Sequence, residues 1–139
     1  MPNKQKEQSK FMSQVSDSNK SLTVKLFEQV FNQQNYDIVP SMLSSDYKYN
    51  GSSTSAAETV AWAQGLHQKY PDLHFIIEAI LGEDEKVALR WRMTVTDPAL
   101  KTKGYMSGTN IIVFVDGKAL TNDQGGGEQF IPNPTPPAS

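Results

Sequence analysis

Only a few side chains of this chain could move a proton near neutral pH from inside an enclosed site. His67 is one, because an unperturbed imidazole already titrates near neutrality and could act as a general base. Asp123 is another: a carboxylate drawn into a partly apolar pocket has its pKa raised towards working pH, where proton exchange is efficient. Other groups could hold the oxygen of a carbonyl. The Tyr49 phenol can polarise it by hydrogen bonding without titrating, and the Asn110 amide can both donate and accept. Together these types suit proton transfer next to a carbonyl group. Asp72 follows Pro71 and Asp97 precedes Pro98, so both are assigned to turn geometry. The two histidines, His67 and His74, have no carboxylate at ligand spacing and the chain has no cysteine, so neither a metal site nor a thiolate nucleophile is expected.

The elements that must position these groups follow from periodicity. Leu22, Leu26, Phe27, Val30 and Phe31 recur at i, i+4, i+5, i+8 and i+9, which predicts a helix from Ser21 to Asn32 with one apolar side. A shorter helical piece spans Tyr36 to Leu43, with Pro40 tolerable in its first turn. A third helix covers Ala56 to Tyr70, carrying Trp62 and Leu66 on one stripe, and Pro71 stops it. Tyr47-Lys48-Tyr49 reads as a short strand with both phenols on one face. Leu73–Leu81, Lys86–Thr96, Gly104–Val115 and Lys118 to about Gln124 read as strands joined by turns that include Asp116-Gly117.

Alternation then sorts faces. Val87, Leu89, Trp91, Met93 and Val95 should face the helices, with Arg90 and Arg92 on the other side, which makes Trp91 a candidate pocket wall; Trp62 is core or wall. The following strand is largely apolar on both faces, so a second subunit is expected to cover the far side. Asp123 and Gln124 must point to opposite faces unless a bulge near Gly125-Gly126-Gly127 turns Asp123 inward; otherwise Asp123 is a solvated aspartate beside a glycine run.

Composition bounds the rest. A chain of 139 residues with 37% hydrophobic residues fits one domain with a small cavity. Its 13 basic and 15 acidic residues leave a net charge of −2, which gives no electrostatic case for nucleic acid or for acidic membranes. Residues 1–18 are polar and aperiodic and are expected to be disordered, the domain is expected over 19–131, and the Pro-rich 132–139 is expected to be a mobile tail. No apolar core of a secretory signal precedes the domain, so the expected location is the cytoplasm.

Taken in order, the helix from Trp62 to Tyr70, Tyr70-Pro71-Asp72-Leu73-His74-Phe75, Lys86-Val87-Ala88-Leu89-Arg90-Trp91 and Asp116-Gly117-Lys118 resemble the SnoaL-like polyketide cyclase family, within the nuclear-transport-factor-2-like cone folds. The resemblance covers roughly Lys20 to Gln124. It implies an α+β cone in which three N-terminal helices pack on the concave face of a curved antiparallel sheet. It also implies a funnel-shaped pocket for a small apolar carbonyl ligand and cofactor-independent chemistry of the aldol-cyclase or isomerase type; the homodimer is expected from the two apolar faces of the sheet. The family's acid/base is an aspartate about seven residues after the hairpin glycine. Here that place holds Gln124, which cannot exchange a proton near neutrality. Two readings therefore stand: an enzyme using Asp123 or His67 as base with Tyr49 or Asn110 holding the oxygen, or a ligand-binding or assembly module that has lost the acid, with Tyr49, Trp62, Trp91, Asn110 and Gln124 lining its pocket.

Overall fold

A computed structural model describes residues 4–134. Helix α1 (Lys4–Lys25) runs into a π-helical segment (Leu26–Asn32), and a 3-10 turn (Tyr36–Ile38) leads to the one-turn α2 (Val39–Met42). Strand β1 (Leu43–Tyr49), the short β2 (Ser52–Ser53) and α3 (Ala56–Lys69) follow, then β3 (His74–Glu83), β4 (Lys86–Asp97), β5 (Thr102–Val115), β6 (Lys118–Gly126) and β7 (Ile131–Pro132).

The strands form one sheet in the order β2-β1-β6-β5-β4-β3, with β7 added to β5 beyond the end of β6. The result is the expected α+β cone: a curved, unclosed sheet whose concave side is covered by helices. One pairing departs from the antiparallel pattern, because β1 lies parallel to β6. The whole of α3 and four strands separate β1 from β6 in the chain, and a connection of that length permits a parallel neighbour where a hairpin cannot.

The apolar pairs Leu26/Phe27 and Val30/Phe31 explain the local helix geometry. A π-helix bonds i to i+5 and has wider turns than an α-helix, so residues at i, i+4 and i+5 share a face. The Gln33 amide accordingly bonds the Glu28 carbonyl at 3.0 Å. Phe27, Val30 and Phe31 are buried against the sheet, where the rings of Phe27, Phe31, Phe75 and Trp91 form a chain with centroid separations of 5.0–5.7 Å. Asn32 fastens the end of this segment to the edge of the sheet. Its Nδ2 donates to the Phe75 carbonyl (3.0 Å) and its Oδ1 accepts from the Phe75 amide (2.7 Å).

Two terminal expectations are corrected. The stretch expected to be disordered over 1–18 is helical from Lys4, continuous with the helix expected to begin at Ser21. It docks through small and polar residues: Ser16, Asn19 and Thr23 are buried, and a Cβ on Gly82 would collide with the Ser16 hydroxyl and crowd the Lys20 side chain. Close approach of α1 to β3 thus depends on Gly82 and leaves no apolar period in the sequence to reveal it. At the other end, Ile131–Pro132 extends the sheet by pairing with Tyr105 and Gly104, and the Asn133 amide bonds the Lys103 carbonyl at 3.0 Å. Pro132 is tolerated there because β7 makes only this short pairing, on one side. The remaining expectations for 1–3 and 135–139 lie outside the described residues. No helix among the described residues is long and apolar enough to cross a membrane.

Candidate functional site

Between the helices and the concave face lies a cavity of about 390 Å³. The π-helical segment supplies one wall through Leu26, Phe27, Val30 and Phe31, and the sheet supplies Phe75, Trp91 and Met93 opposite. Helix α3 closes the side, with Glu58, Trp62 and Leu66 at i, i+4 and i+8 lining the space. Burial along β4 and β5 follows the strand parity. Val87, Leu89, Trp91, Met93 and Val95 are buried, as are Met106, Asn110, Ile112 and Phe114, while Arg90 lies exposed on the far side.

The polar part of the wall is a relay of neutral groups. Trp91 Nε1 donates to Asn110 Oδ1 at 2.6 Å, and Asn110 Nδ2 donates to Asn122 Oδ1 at 2.7 Å. The Asn122 side chain in turn hydrogen-bonds the Tyr47 phenol. Each bond polarises the next in a low-dielectric setting, so the relay presents an ordered dipole rather than a charge. Burial pushes the Tyr47 phenol up to about 12, against the opposing effect of the Asn122 hydrogen bond; the nearby Tyr49 and Asp123 raise it further. Tyr47 therefore stays protonated and remains a donor throughout the neutral range. A second, shorter pair sits nearer the opening. The Tyr49 hydroxyl donates to Gln124 Oε1 at 2.6 Å, and the Gln124 backbone N–H donates to Asn50 Oδ1 at 2.7 Å. Burial raises the Tyr49 phenol as well.

The glycines of β5 and of the segment after β6 seat the indole. A Cβ on Gly108 would run into Trp91 Cζ2, and one on Gly127 would come within 2.8 Å of Trp91 Cη2 and 3.0 Å of Gln124 Nε2. Gly127 also has φ of +86°, which L side chains rarely adopt. Its amide bonds the Ser107 carbonyl at 2.7 Å, which anchors the chain across the end of the indole. Gly108 and Gly127 thus make room for Trp91, and Gly127 for Gln124 as well.

The SnoaL-like domain family model matches residues 24–121. The chain belongs to that family. Among solved structures, the SnoaL-like fold is similar to AclR from Streptomyces galilaeus (21% identity, TM-score 0.67, covering 80% of this chain and 90% of that one). It is also similar to a SnoaL-like polyketide cyclase from Agrobacterium tumefaciens (13% identity, TM-score 0.69, 79% and 91%) and to TsrD from Streptomyces laurentii (13% identity, TM-score 0.69, 79% and 88%). At these identities the likeness concerns the fold. No curated protein matches the chain.

Within this SnoaL-like cone the expected site residues separate into two groups. Tyr49, Trp62, Trp91, Asn110 and Gln124 all line the cavity. Trp62 does so at the opening, half exposed, with its ring 5.7 Å from Phe31 and 6.3 Å from Tyr49. The two candidate bases are elsewhere. Asp123 pairs across to Ile111 and is exposed on the far face, because β6 keeps its alternation through Gln124 and the irregularity in its pairing falls earlier, between Val113 and Phe114 of β5. His67 is buried behind α3, where Nε2 meets the Phe31 carbonyl at 2.7 Å, and Nδ1 meets the Ala63 carbonyl at 2.8 Å and the Tyr36 hydroxyl at 2.6 Å. All its hydrogen-bonding capacity serves to join α3 to the π-helical segment and the 3-10 turn. Asp97 accepts from the Ala99 and Leu100 amides of its own turn, whereas the Asp72 carboxylate accepts from the hydroxyl and amide of Thr96 on β4, which lowers its pKa and ties the turn after α3 to the sheet.

Three contributors were not singled out from the sequence. Tyr47 was visible as the partner of Tyr49 on one strand face, but nothing local marks it as the more buried of the two. Asn122 shares its parity with Gln124, the one available signal. Glu58 is the only carboxylate among the lining residues, and Ser55-Ala56-Ala57-Glu58 is a capping-box pattern that explains it without reference to a pocket.

Proposed function

We propose that this SnoaL-like protein binds a small apolar compound through a neutral oxygen, commonly a carbonyl, with the Tyr47 hydroxyl as donor, and that it does so without an acid/base on β6. The observation that carries this reading is the parity of Asp123 and Gln124: the carboxylate faces away and the amide lines the cavity, already engaged by Tyr49. An apolar chamber with a few fixed dipoles recognises a neutral polar group, because a buried charge would find no counter-ion at its deep end. Tyr47 fits the donor role since its phenol lines the cavity beside Asn122 and burial keeps it protonated.

The test is calorimetric titration with 2-acetonaphthone, together with an assay for conversion of a β,γ-unsaturated ketone to its conjugated isomer. Binding by the wild type, about tenfold weaker binding by Tyr47→Phe, weaker binding by Gln124→Leu and no turnover are expected. Turnover that disappears in Asp123→Asn would overturn the binding-module reading in favour of proton-transfer chemistry.

We further propose that the far face of the sheet meets a second copy of the chain. Ile76 and Ile111 are exposed there, and Glu78 lies 3.8 Å from Arg90 and 3.7 Å from Arg92, whose guanidinium also stacks 3.9 Å from the Tyr105 ring centre. An apolar centre with ordered polar groups around it suits a self-complementary interface. A sedimentation mass of one chain at micromolar concentrations would contradict this.

A further inference from the structure

Charge around the cavity is as one-sided as its polarity. Among the described residues no lysine, arginine or histidine lines it, and Glu58 is the single formally charged side chain that does. The Glu58 carboxylate sits at the opening, not at the floor. Oε2 accepts from the Thr54 hydroxyl at 2.7 Å and the Ser55 amide at 3.2 Å, which leaves Oε1 unengaged among the described residues. One turn further along α3, Trp62 presents its half-exposed indole at the same opening, with the Tyr49 ring 6.3 Å away and the Phe31 ring 5.7 Å away.

The start of α3 would ordinarily attract an anion, but here the capping box has taken two of its first-turn amides and set the Glu58 carboxylate over that turn. The Glu58 amide goes to the Ser55 hydroxyl (3.1 Å) and the Ser55 amide goes to Glu58 itself. A ligand carboxylate at this opening would therefore meet a like charge and no cation. An ammonium would meet a carboxylate oxygen and the negative faces of aromatic rings, the combination that recognises organic cations.

We propose that the ligand of this pocket is an amine: a compound whose apolar body and neutral oxygen enter the cavity and whose protonated amino group rests at the opening between Glu58 and the rings of Trp62 and Tyr49. This rests on the binding-module reading and adds a sign of charge and an orientation to it. Leu66, deeper on the same helix stripe, and Phe31 set the boundary between the charged opening and the apolar chamber.

Three 2-acetylnaphthalene probes that differ only at position 6 separate the two readings: an aminomethyl, a hydroxymethyl and a carboxylate derivative, titrated calorimetrically against the full chain. The aminomethyl probe should bind about tenfold more tightly than the hydroxymethyl probe, and the carboxylate probe more weakly than either. Glu58→Gln keeps an acceptor for the capping box and should bring the amine-to-alcohol ratio most of the way to one. The same ratio should fall in the wild type at a pH well above the amine's own pKa. A wild-type ratio near one, or a ratio unchanged in Glu58→Gln, overturns the amine proposal while leaving the pocket reading in place. Failure of the hydroxymethyl probe to bind overturns both.

Discussion

The two faces of one strand pair, β5 and β6, have been built to opposite specifications. On the concave face Asn110, Asn122 and Gln124 are neutral, hydrogen-bonded and directed at the cavity. One residue away on the convex face stand Thr109, Ile111 and Asp123, all exposed, and the neighbouring strands add Glu78, Arg90 and Arg92 there. Charge on this strand pair is sorted by parity, so a single residue of register decides whether β6 gives the pocket an acid. Because the period of a strand is two, Asp123 cannot approach the cavity without a bulge, and of the glycines that could have supplied one Gly125 and Gly126 pair in register with Thr109 and Gly108 while Gly127 lies against Trp91.

The largest effect should come from cutting the concave relay. Asn110→Leu leaves Trp91 Nε1 and Asn122 Oδ1 without partners in a buried setting, and a loss of about 3 kcal/mol in unfolding free energy is expected. The matching change one residue away, Thr109→Ala, should alter stability by less than about 0.5 kcal/mol. Equal losses from the two variants in urea denaturation would break the comparison.

A smaller effect should appear at high pH. The folded-state pKa of Tyr47 is raised to about 12 from the ordinary 10.0, so the folded protein holds that proton more tightly than the unfolded chain does. The stabilisation from this group is complete below pH 10 and is lost as pH rises towards 12. Spectrophotometric titration should show one tyrosine ionising well after the exposed ones, and Tyr47→Phe should remove that late phase. A late phase that survives the substitution would assign the buried donor to another tyrosine.

The fold was legible where burial is apolar and periodic. The stripe ending in Phe31, the alternation around Trp91 and the turn at Asp116-Gly117 each expose their structural role in residue type alone. Helix α1 before Ser21 was not legible, because its contact with β3 is made by Ser16, Asn19 and Thr23 against Gly82, and small polar residues leave no hydrophobic period. In the site, parity required Asp123 and Gln124 to face opposite ways but left open which of them faces the cavity, because the glycines that follow could have hidden a bulge, whereas the fate of His67 depends on the Phe31 carbonyl and Tyr36, both more than thirty residues away in sequence. Local pattern carries no record of such a partner. The parallel pairing of β1 with β6, which brings Tyr47 and Tyr49 alongside Asn122 and Gln124, is equally long-range.

The central claim is that a neutral donor, Tyr47, grips the ligand's oxygen at the deep end of the chamber, away from the Glu58 carboxylate and with no acid on β6. Isotope-edited infrared spectroscopy of bound 2-acetonaphthone labelled with carbon-13 at its carbonyl tests it most directly. A band shifted to lower frequency than in an apolar solvent, unchanged between about pH 5 and 9 because no lining group of the relay ionises there, and returned to the apolar-solvent position in Tyr47→Phe is the expected result. A bound carbonyl that keeps its red shift in Tyr47→Phe, or whose frequency titrates within that range, would contradict it.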